Sequence, residues 1–151
     1  MELTIRRASI DDLATVAVLF DAYRQFYGQP ADYRLAEGFL RERFEKNESV
    51  VFLAVDGRSE KGLGFTQLYP SFSSVSARRI WILNDLFVTP TARKQGVGRA
   101  LLDAACYHGK ATGAKRLILS TATTNHQARA LYESYGYKQD EVFLTYKLEL
   151  E

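Results

Sequence analysis

The chain has 151 residues, 46% of them hydrophobic and 25% charged, the size and composition of one globular domain spanning 1–151 rather than of a disordered segment. No apolar run approaches the roughly 18–20 residues that span a bilayer, and the opening Met-Glu-Leu-Thr-Ile-Arg-Arg lacks a signal peptide's basic-then-apolar layout, so the cytoplasm is the expected compartment. A single cysteine excludes an intramolecular disulfide framework and a cysteine-built zinc site, and a net charge of +2 does not mark a nucleic-acid binder.

Leu3 to Ala8 alternates loosely and predicts a short first strand. Ser9 followed by Asp11 and Asp12 sets a capping hydroxyl and two acids at the positive end of a helix. That helix is expected from Ile10 to Phe26, with Leu13, Val16, Ala17 and Phe20 inward at a 3.6-residue period. Gly28-Gln29-Pro30 stops it. A second helix, Asp32 to Lys46, carries Leu35, Phe39, Leu40 and Phe44 on one side. Val50 to Val55 is a β-branched apolar strand, and Asp56-Gly57 after it signals a hairpin. A strand from Leu63 to Tyr69 follows, then a serine-rich loop from Pro70 to Ala77 and a strand from Arg79 to Val88, closed by Pro90. The glycine-punctuated Arg93–Gly98 opens a helix from Val97 to Thr112, which Gly113 terminates. Leu117 to Leu119 reads as a short buried strand, and Asn125 to Tyr135 as a helix ending at Gly136. Val142, Leu144, Tyr146, Leu148 and Leu150 alternate with Phe143, Thr145, Lys147 and Glu149, predicting a half-buried C-terminal strand. Strand, two helices, three strands, helix, strand, helix, strand is an α/β order around a mixed sheet.

The net charge hides an asymmetry. Residues 1–60 carry eight basic and eleven acidic side chains, whereas residues 86–129 carry seven basic ones and a single acid, Asp103. A localised excess of this kind suits a compact anionic ligand. Within it lies the strongest local signal: the strand Leu86-Phe87-Val88 runs through Thr89-Pro90 into Arg93-Lys94-Gln95-Gly96-Val97-Gly98-Arg99. A strand feeds a turn whose glycines allow close backbone approach, and a helix N-terminus follows, with free N–H groups and a dipole that favour an anion. A nucleoside-triphosphate loop fails for want of Gly-Lys-Ser/Thr, and a dinucleotide fingerprint fails because Leu101 stands where its third glycine belongs.

Arg93-x-x-Gly96-x-Gly98 resembles the pyrophosphate-binding signature, Gln/Arg-x-x-Gly-x-Gly/Ala, of the GNAT superfamily of acyl-CoA-dependent N-acyltransferases. Two further segments match in order. Asn84-Asp85-Leu86-Phe87-Val88 is similar to the family strand that pairs with the pantetheine arm, and Asn125-x-x-Ala128-x-x-x-Tyr132 with Gly136-Tyr137 is similar to the family's late helix. The resemblance covers nearly the whole chain. It implies an α/β (α+β) fold with a mixed, mostly antiparallel sheet of about six to seven strands flanked by about four helices. It also implies acetyl-CoA as cosubstrate, bound by Leu86, Phe87, Val88, Arg93, Lys94, Gln95, Gly96, Val97, Gly98, Arg99, Asn125 and Arg129. By the same likeness Tyr132 lies beside the cofactor sulfur, and late strands offer a homodimer contact.

Acetyl transfer to an amine needs a neutral nucleophile, a polarised carbonyl and a protonated leaving thiolate. Backbone N–H groups near Leu86 and Phe87 suit the second need. A tyrosine phenol, with a pKa of about 10, is close enough to a thiol's ~8.5 for Tyr132 to serve as general acid. The base stays open. Relatives that acetylate polyamines carry Glu-Asp where this chain has Asn84-Asp85; Asn84 cannot take a proton, which leaves Asp85, a water chain, or an acceptor that enters deprotonated. Strand alternation sets Asn84 and Asp85 on opposite faces. Phe26, Tyr27 and Tyr33 flank the turn where the family holds its acceptor, so Phe26, Tyr27 and Asn84 are the candidate substrate residues; core packing is the competing role for the aromatics. Two isolated histidines, His108 and His126, give no metal site, and Cys106 reads as a small buried hydrophobe.

The expected function is therefore transfer of an acetyl group from acetyl-CoA to a primary amine of a small molecule, polyamine-like, amino acid or similar, with no nucleic-acid or membrane partner. The alternatives are a protein or peptide N-acetyltransferase, a non-catalytic CoA-binding or regulatory domain, and, last, nucleic-acid binding through the basic cluster. A cleft between Leu86–Val88 and Leu117–Leu119 is the structural signature to look for.

Overall fold

The computed structural model describes residues 1–151, which divide into two compact units, Met1–Ser120 and Thr121–Glu151. The first contains β1 (Leu3–Arg7), α1 (Leu13–Phe26), α2 (Tyr33–Glu45), β2 (Val50–Asp56), β3 (Gly62–Ser73), β4 (Arg78–Val88), α3 (Val97–Ala111) and β5 (Leu117–Ile118). The second contains α4 (His126–Tyr135). The five strands lie in the order of the chain, each antiparallel to the next except β5, which is parallel to β4.

Local chemistry starts each helix of the first layer. Ser9 Oγ accepts from the Asp11 N–H at 3.3 Å, and the Asp12 carboxylate accepts from the Ser9 N–H at 3.0 Å, a reciprocal capping box that satisfies otherwise orphaned donors. The first turn, Ile10–Asp12, is a tight 3-10 turn, and the α-helix proper begins at Leu13. Asp32 caps α2 by accepting from the Leu35 N–H at 3.1 Å, while its own N–H donates to Asp21 of α1 at 2.9 Å.

Alternation along β2 feeds both faces of the sheet. Val51, Leu53 and Val55 pack with Leu13, Val16, Phe20, Ala36 and Leu40 under α1 and α2. Ala54 packs with Leu63, Val97 and Leu101 under α3. Leu40 is fully buried; truncating such a side chain to alanine costs about 2–5 kcal/mol.

Several expectations shift. The buried stripe of α2 is Ala36 and Leu40, while Leu35 and Phe39 are exposed; Phe39 instead stacks on Phe20 at 5.5 Å, with the Arg43 guanidinium 4.5 Å above its ring. β3 does not stop at Tyr69 but continues through Pro70 to Ser73. Its pairing with β2 ends at Leu68, so Pro70 faces no second ladder there and its missing N–H is tolerated. β5 spans two residues, and its Ile118 is exposed rather than buried.

The expected C-terminal strand is absent: residues 138–151 form no regular element, which leaves five strands instead of six to seven. Val142, Leu144, Tyr146, Leu148 and Leu150 are all 80% or more exposed. Alternation decides which faces of a segment are apolar, but a strand also needs a hydrogen-bonded neighbour. Here Asp140 Oδ1 accepts from the Val142 and Phe143 N–H groups at 2.8 and 3.0 Å, a local turn that competes with ladder formation. No helix is long and apolar enough to cross a membrane.

Candidate active site

β4 carries the central feature. β3 pairs with it along its full length, from Ser73↔Arg78 to Gly64↔Val88, whereas β5 pairs only with Trp81 and Ile82. From Leu83 to Val88 the strand therefore has β3 on one side and no strand on the other. An open edge of this kind presents backbone N–H and C=O groups to a ligand. The register skips between Gln67, opposite Asp85, and Leu68, opposite Leu83, so Asn84 is the extra residue of a β-bulge, a device that re-aims side chains. Asn84 is exposed and Asp85 is only 2% exposed, yet the Asn84 amide reaches the Asp85 carboxylate at 3.0 Å, so the bulge brings together two side chains that alternation sets on opposite faces.

The turn beyond β4 is built for close approach. Pro90–Ala92 forms a 3-10 turn, Lys94 and Gly96 take φ of 62° and 83°, and α3 begins at Val97 with Gly96 as its N-cap and no side-chain cap. The left-handed backbone at Gly96 is one that glycine adopts without penalty. The missing cap leaves first-turn N–H groups available to an anion. Lys94, Gln95, Gly96 and Arg99 are exposed, while Val97 anchors the turn in the core. Arg93 is committed locally: its Nε donates to the Val88 carbonyl at 2.9 Å, and its guanidinium lies 5.7 Å from the Phe87 ring centroid. Arg93 thus clamps the turn to the end of β4. An open strand edge running into an uncapped helix start suits a linear ligand with a neutral arm and a diphosphate, as in acetyl-CoA.

Asp85 sits at the centre of a buried polar chain. Ser49 Oγ donates to Gln67 Oε1 at 2.8 Å, Gln67 Nε2 donates to Asp85 Oδ2 at 2.5 Å, and Asn84 Nδ2 donates to Asp85 Oδ1 at 3.0 Å. From α1, the Tyr23 hydroxyl has two acceptors for its one proton, the Asn84 carbonyl at 3.3 Å and the Asp85 carboxyl. Burial pushes the Asp85 pKa up, partly offset by hydrogen bonds from Gln67, Asn84 and Tyr23. Nearby Tyr69 is held protonated by its own burial and by the charge of Asp85. Sequence reasoning missed Tyr23, Ser49, Gln67 and Tyr69. The available signal was Thr66-Gln67 inside an apolar strand, since buried polar side chains demand partners.

The remaining candidates fall as follows. Phe26 and Tyr27 are exposed and stack edge-on at 5.3 Å, and Tyr27 meets Tyr23 at 5.1 Å. Tyr23 continues the aromatic run to Phe65 at 5.9 Å and Phe87 at 6.4 Å. Asn125, Arg129 and Tyr132 belong to the second unit. Asn125 Oδ1 caps α4 by accepting from the Ala128 N–H at 3.2 Å, and Arg129 Nη1 donates to the Thr123 carbonyl at 2.9 Å. Tyr132 is 9% exposed, its ring edge-on to Tyr137 at 6.0 Å. His108 packs between Phe52 and Trp81, burial lowering its pKa, and Cys106 is half-buried. No group of three or more His, Cys, Asp or Glu side chains could hold a metal ion.

Residues 14–137 match the acetyltransferase (GNAT) family. The chain belongs to that family. It is 49% identical over 148 residues to YhfO, an uncharacterized N-acetyltransferase of Bacillus subtilis, with 98% of each chain covered. A probable acetyltransferase of Haemophilus influenzae is 36% identical over 132 residues, 87% of this chain and 88% of that one. A D-amino-acid N-acetyltransferase of Saccharomyces cerevisiae is 32% identical over 90 residues, 60% of this chain and 56% of that one. The crystal structure of a probable acetyltransferase matches with a TM-score of 0.93 at 40% identity, covering 98% of each chain. The protein is an acetyl-CoA-dependent N-acetyltransferase with the GNAT fold.

Proposed function

We propose that this GNAT protein transfers the acetyl group of acetyl-CoA to the primary amine of a small molecule, by direct attack within a ternary complex. The observation that carries the proposal is the open edge of β4 at Leu83–Val88 leading into the uncapped start of α3 at Gly96. In this scheme the Leu86–Val88 backbone holds the pantetheine arm and polarises the acetyl carbonyl. Lys94, Gln95, Gly96, Val97, Gly98 and Arg99 receive the diphosphate, and Arg93 fixes their turn. Asn125 and Arg129 bind the cofactor arm, and Tyr132 protonates the departing thiolate. The amine nitrogen forms a bond to the acetyl carbon as the carbon–sulfur bond breaks, and the nitrogen sheds one proton. Asn84, Phe26 and Tyr27 line the acceptor side. Asp85 is the candidate base, acting from a buried position.

The family match at residues 14–137 runs across both units, which supports treating them as parts of one domain. The exposed apolar alternation of Val142–Leu150 supports a homodimer in which a second copy covers it, and the cytoplasm is the proposed compartment. The decisive experiment has two arms. Calorimetry with acetyl-CoA should give saturable binding, and absence of binding at millimolar cofactor would sink the proposal. A CoA-release screen over spermidine, D- and L-amino acids, kanamycin and short peptides then assigns the acceptor class. A second function, a CoA-binding domain without turnover, is favoured by Asn84, which cannot take a proton; binding with no CoA release on any amine would select it.

A further inference from the structure

Asp85 raises a problem of access. A carboxyl group that is 2% exposed cannot touch an amine arriving from solvent. Its contacts show a way round. Gln67 Nε2 and Asn84 Nδ2 are amide donors, which orient a carboxylate but do not give up protons near neutral pH. Tyr23 is different. Among the hydrogen-bond partners of Asp85 it alone bears an acidic proton. It is only half-buried. Its hydroxyl donates to the carbonyl of Asn84, the exposed bulge residue, and its ring borders Tyr27 at 5.1 Å on the solvent side.

On the acetyl-transfer scheme above, we propose that Tyr23 is the group that contacts the acceptor amine and relays its proton to Asp85. As the nitrogen bonds to the acetyl carbon it becomes positively charged and acidic. Its proton passes to Tyr23 Oη while the phenolic proton, turned from the Asn84 carbonyl toward Asp85, passes to a carboxylate oxygen there. Tyr23 ends as it began, Asp85 ends as a neutral carboxylic acid, and the proton later leaves by the reverse path once the product has gone. Burial, which raises the proton affinity of Asp85, improves it as an acceptor. The other groups around it do not compete. Tyr69 on β3 is held protonated, Arg43 of α2 acts on Tyr69, and Ser49 reaches Asp85 only through the Gln67 amide.

Asp85 and Tyr23 give clean variants. In Asp85→Asn the amide can donate to Gln67 Oε1 after the Gln67 amide flips, and Gln67 Nε2 can then donate to Ser49 Oγ, which keeps the chain from Ser49 through Gln67 to position 85 connected. Tyr23→Phe keeps the ring stacking. With whichever screened amine the wild type acetylates fastest, each variant should lose about 10²-fold in kcat/KM for the amine near pH 7, while acetyl-CoA affinity by calorimetry stays unchanged. The double variant should be no worse than the singles, because both remove one path. The deficit should shrink as pH rises and solvent base takes over. An equal deficit at every pH, or additive losses, would mean a structural network and overturn the relay.

A second measurement needs no turnover. The Asp85 carboxyl, followed by carbon-13 NMR, should titrate above the ordinary carboxylate range and move further up in Tyr23→Phe, which removes a hydrogen bond to the charged form. An unmoved titration would overturn the contact itself. Failure of the wild type to bind acetyl-CoA would instead refute the acetyl-transfer scheme, and binding without acetylation of any amine would overturn the relay with it.

Discussion

Gly64 on β3 holds the reactive end of β4 in place, and replacing it should damage stability and cofactor binding together. It lies opposite Val88. A Cβ built on Gly64 falls 2.5 Å from the Phe87 carbonyl oxygen and 3.2 Å from Val88 Cα. Both are main-chain atoms and cannot rotate aside. Reaching the ~3.3 Å of a tolerable C···O contact requires the two strands to part by roughly 0.8 Å. Overpacking of this kind costs about 1–3 kcal/mol, against about 0.4–1 kcal/mol gained by restricting the unfolded chain. The net is a loss of about 1–2 kcal/mol for Gly64→Ala, or a fall in Tm of roughly 2–8 °C for a chain of this size. Trp81 is the single tryptophan and is 8% exposed, so its fluorescence reports unfolding directly. Because the displaced atoms belong to Phe87 and Val88, the KM for acetyl-CoA should rise as well. Gly38→Ala on α2 is the control: its Cβ meets nothing within 4 Å, and it should stabilise by about 0.5–1 kcal/mol. A Gly64→Ala protein that melts with the wild type and binds acetyl-CoA as tightly would refute the close-approach reasoning.

Gly96→Ala tests the turn itself: the new Cβ has open space, but φ is +83°, so the cost is backbone strain of about 1–2 kcal/mol, read by thermal melting, with weaker acetyl-CoA binding by calorimetry. Asp85 makes stability depend on pH in a definite sense. Its pKa is raised in the folded protein, so its contribution is full below the unfolded carboxylate pKa and is lost as pH rises through the folded value. Asp85→Asn, which stays neutral, should therefore gain in Tm relative to the wild type as pH rises above the ordinary carboxylate range, and a pH-independent difference would contradict this. For the C-terminal segment, where Leu144 and Leu148 are 80% and 84% exposed, the wild type should sediment as a dimer and the Leu144→Lys, Leu148→Lys variant as a monomer; a monomeric wild type would reject the contact.

Local signals carried most of the layout. Ser9 and Asp12 announced the first helix, and Asp32 and Asn125 stood at the expected starts of theirs, because helix starts depend on side chains within a few residues of the turn they serve. Gly96 and Gly98 marked a turn where backbone must approach a ligand, and the period of Leu13, Val16, Ala17 and Phe20 gave the inner face of α1. The same logic overreached at residues 142–150, where a correct alternation predicted a strand that has no partner, and at Leu35 and Phe39, where a helical stripe was placed one residue off its buried face.

By itself the sequence determined the family, the order of the elements and the turn from β4 into α3, since these rest on contacts between near neighbours and on motifs a few residues long. Only the tertiary structure decided that β5 stops at Ile118 and leaves the edge of β4 open, and that the bulge falls at Asn84. Only it brought Ser49, Gln67 and Tyr23, from three separate segments, onto one buried carboxyl at Asp85. Strand register and buried polar partnership join residues far apart in the chain, and no local pattern encodes which distant donor a buried acid will find.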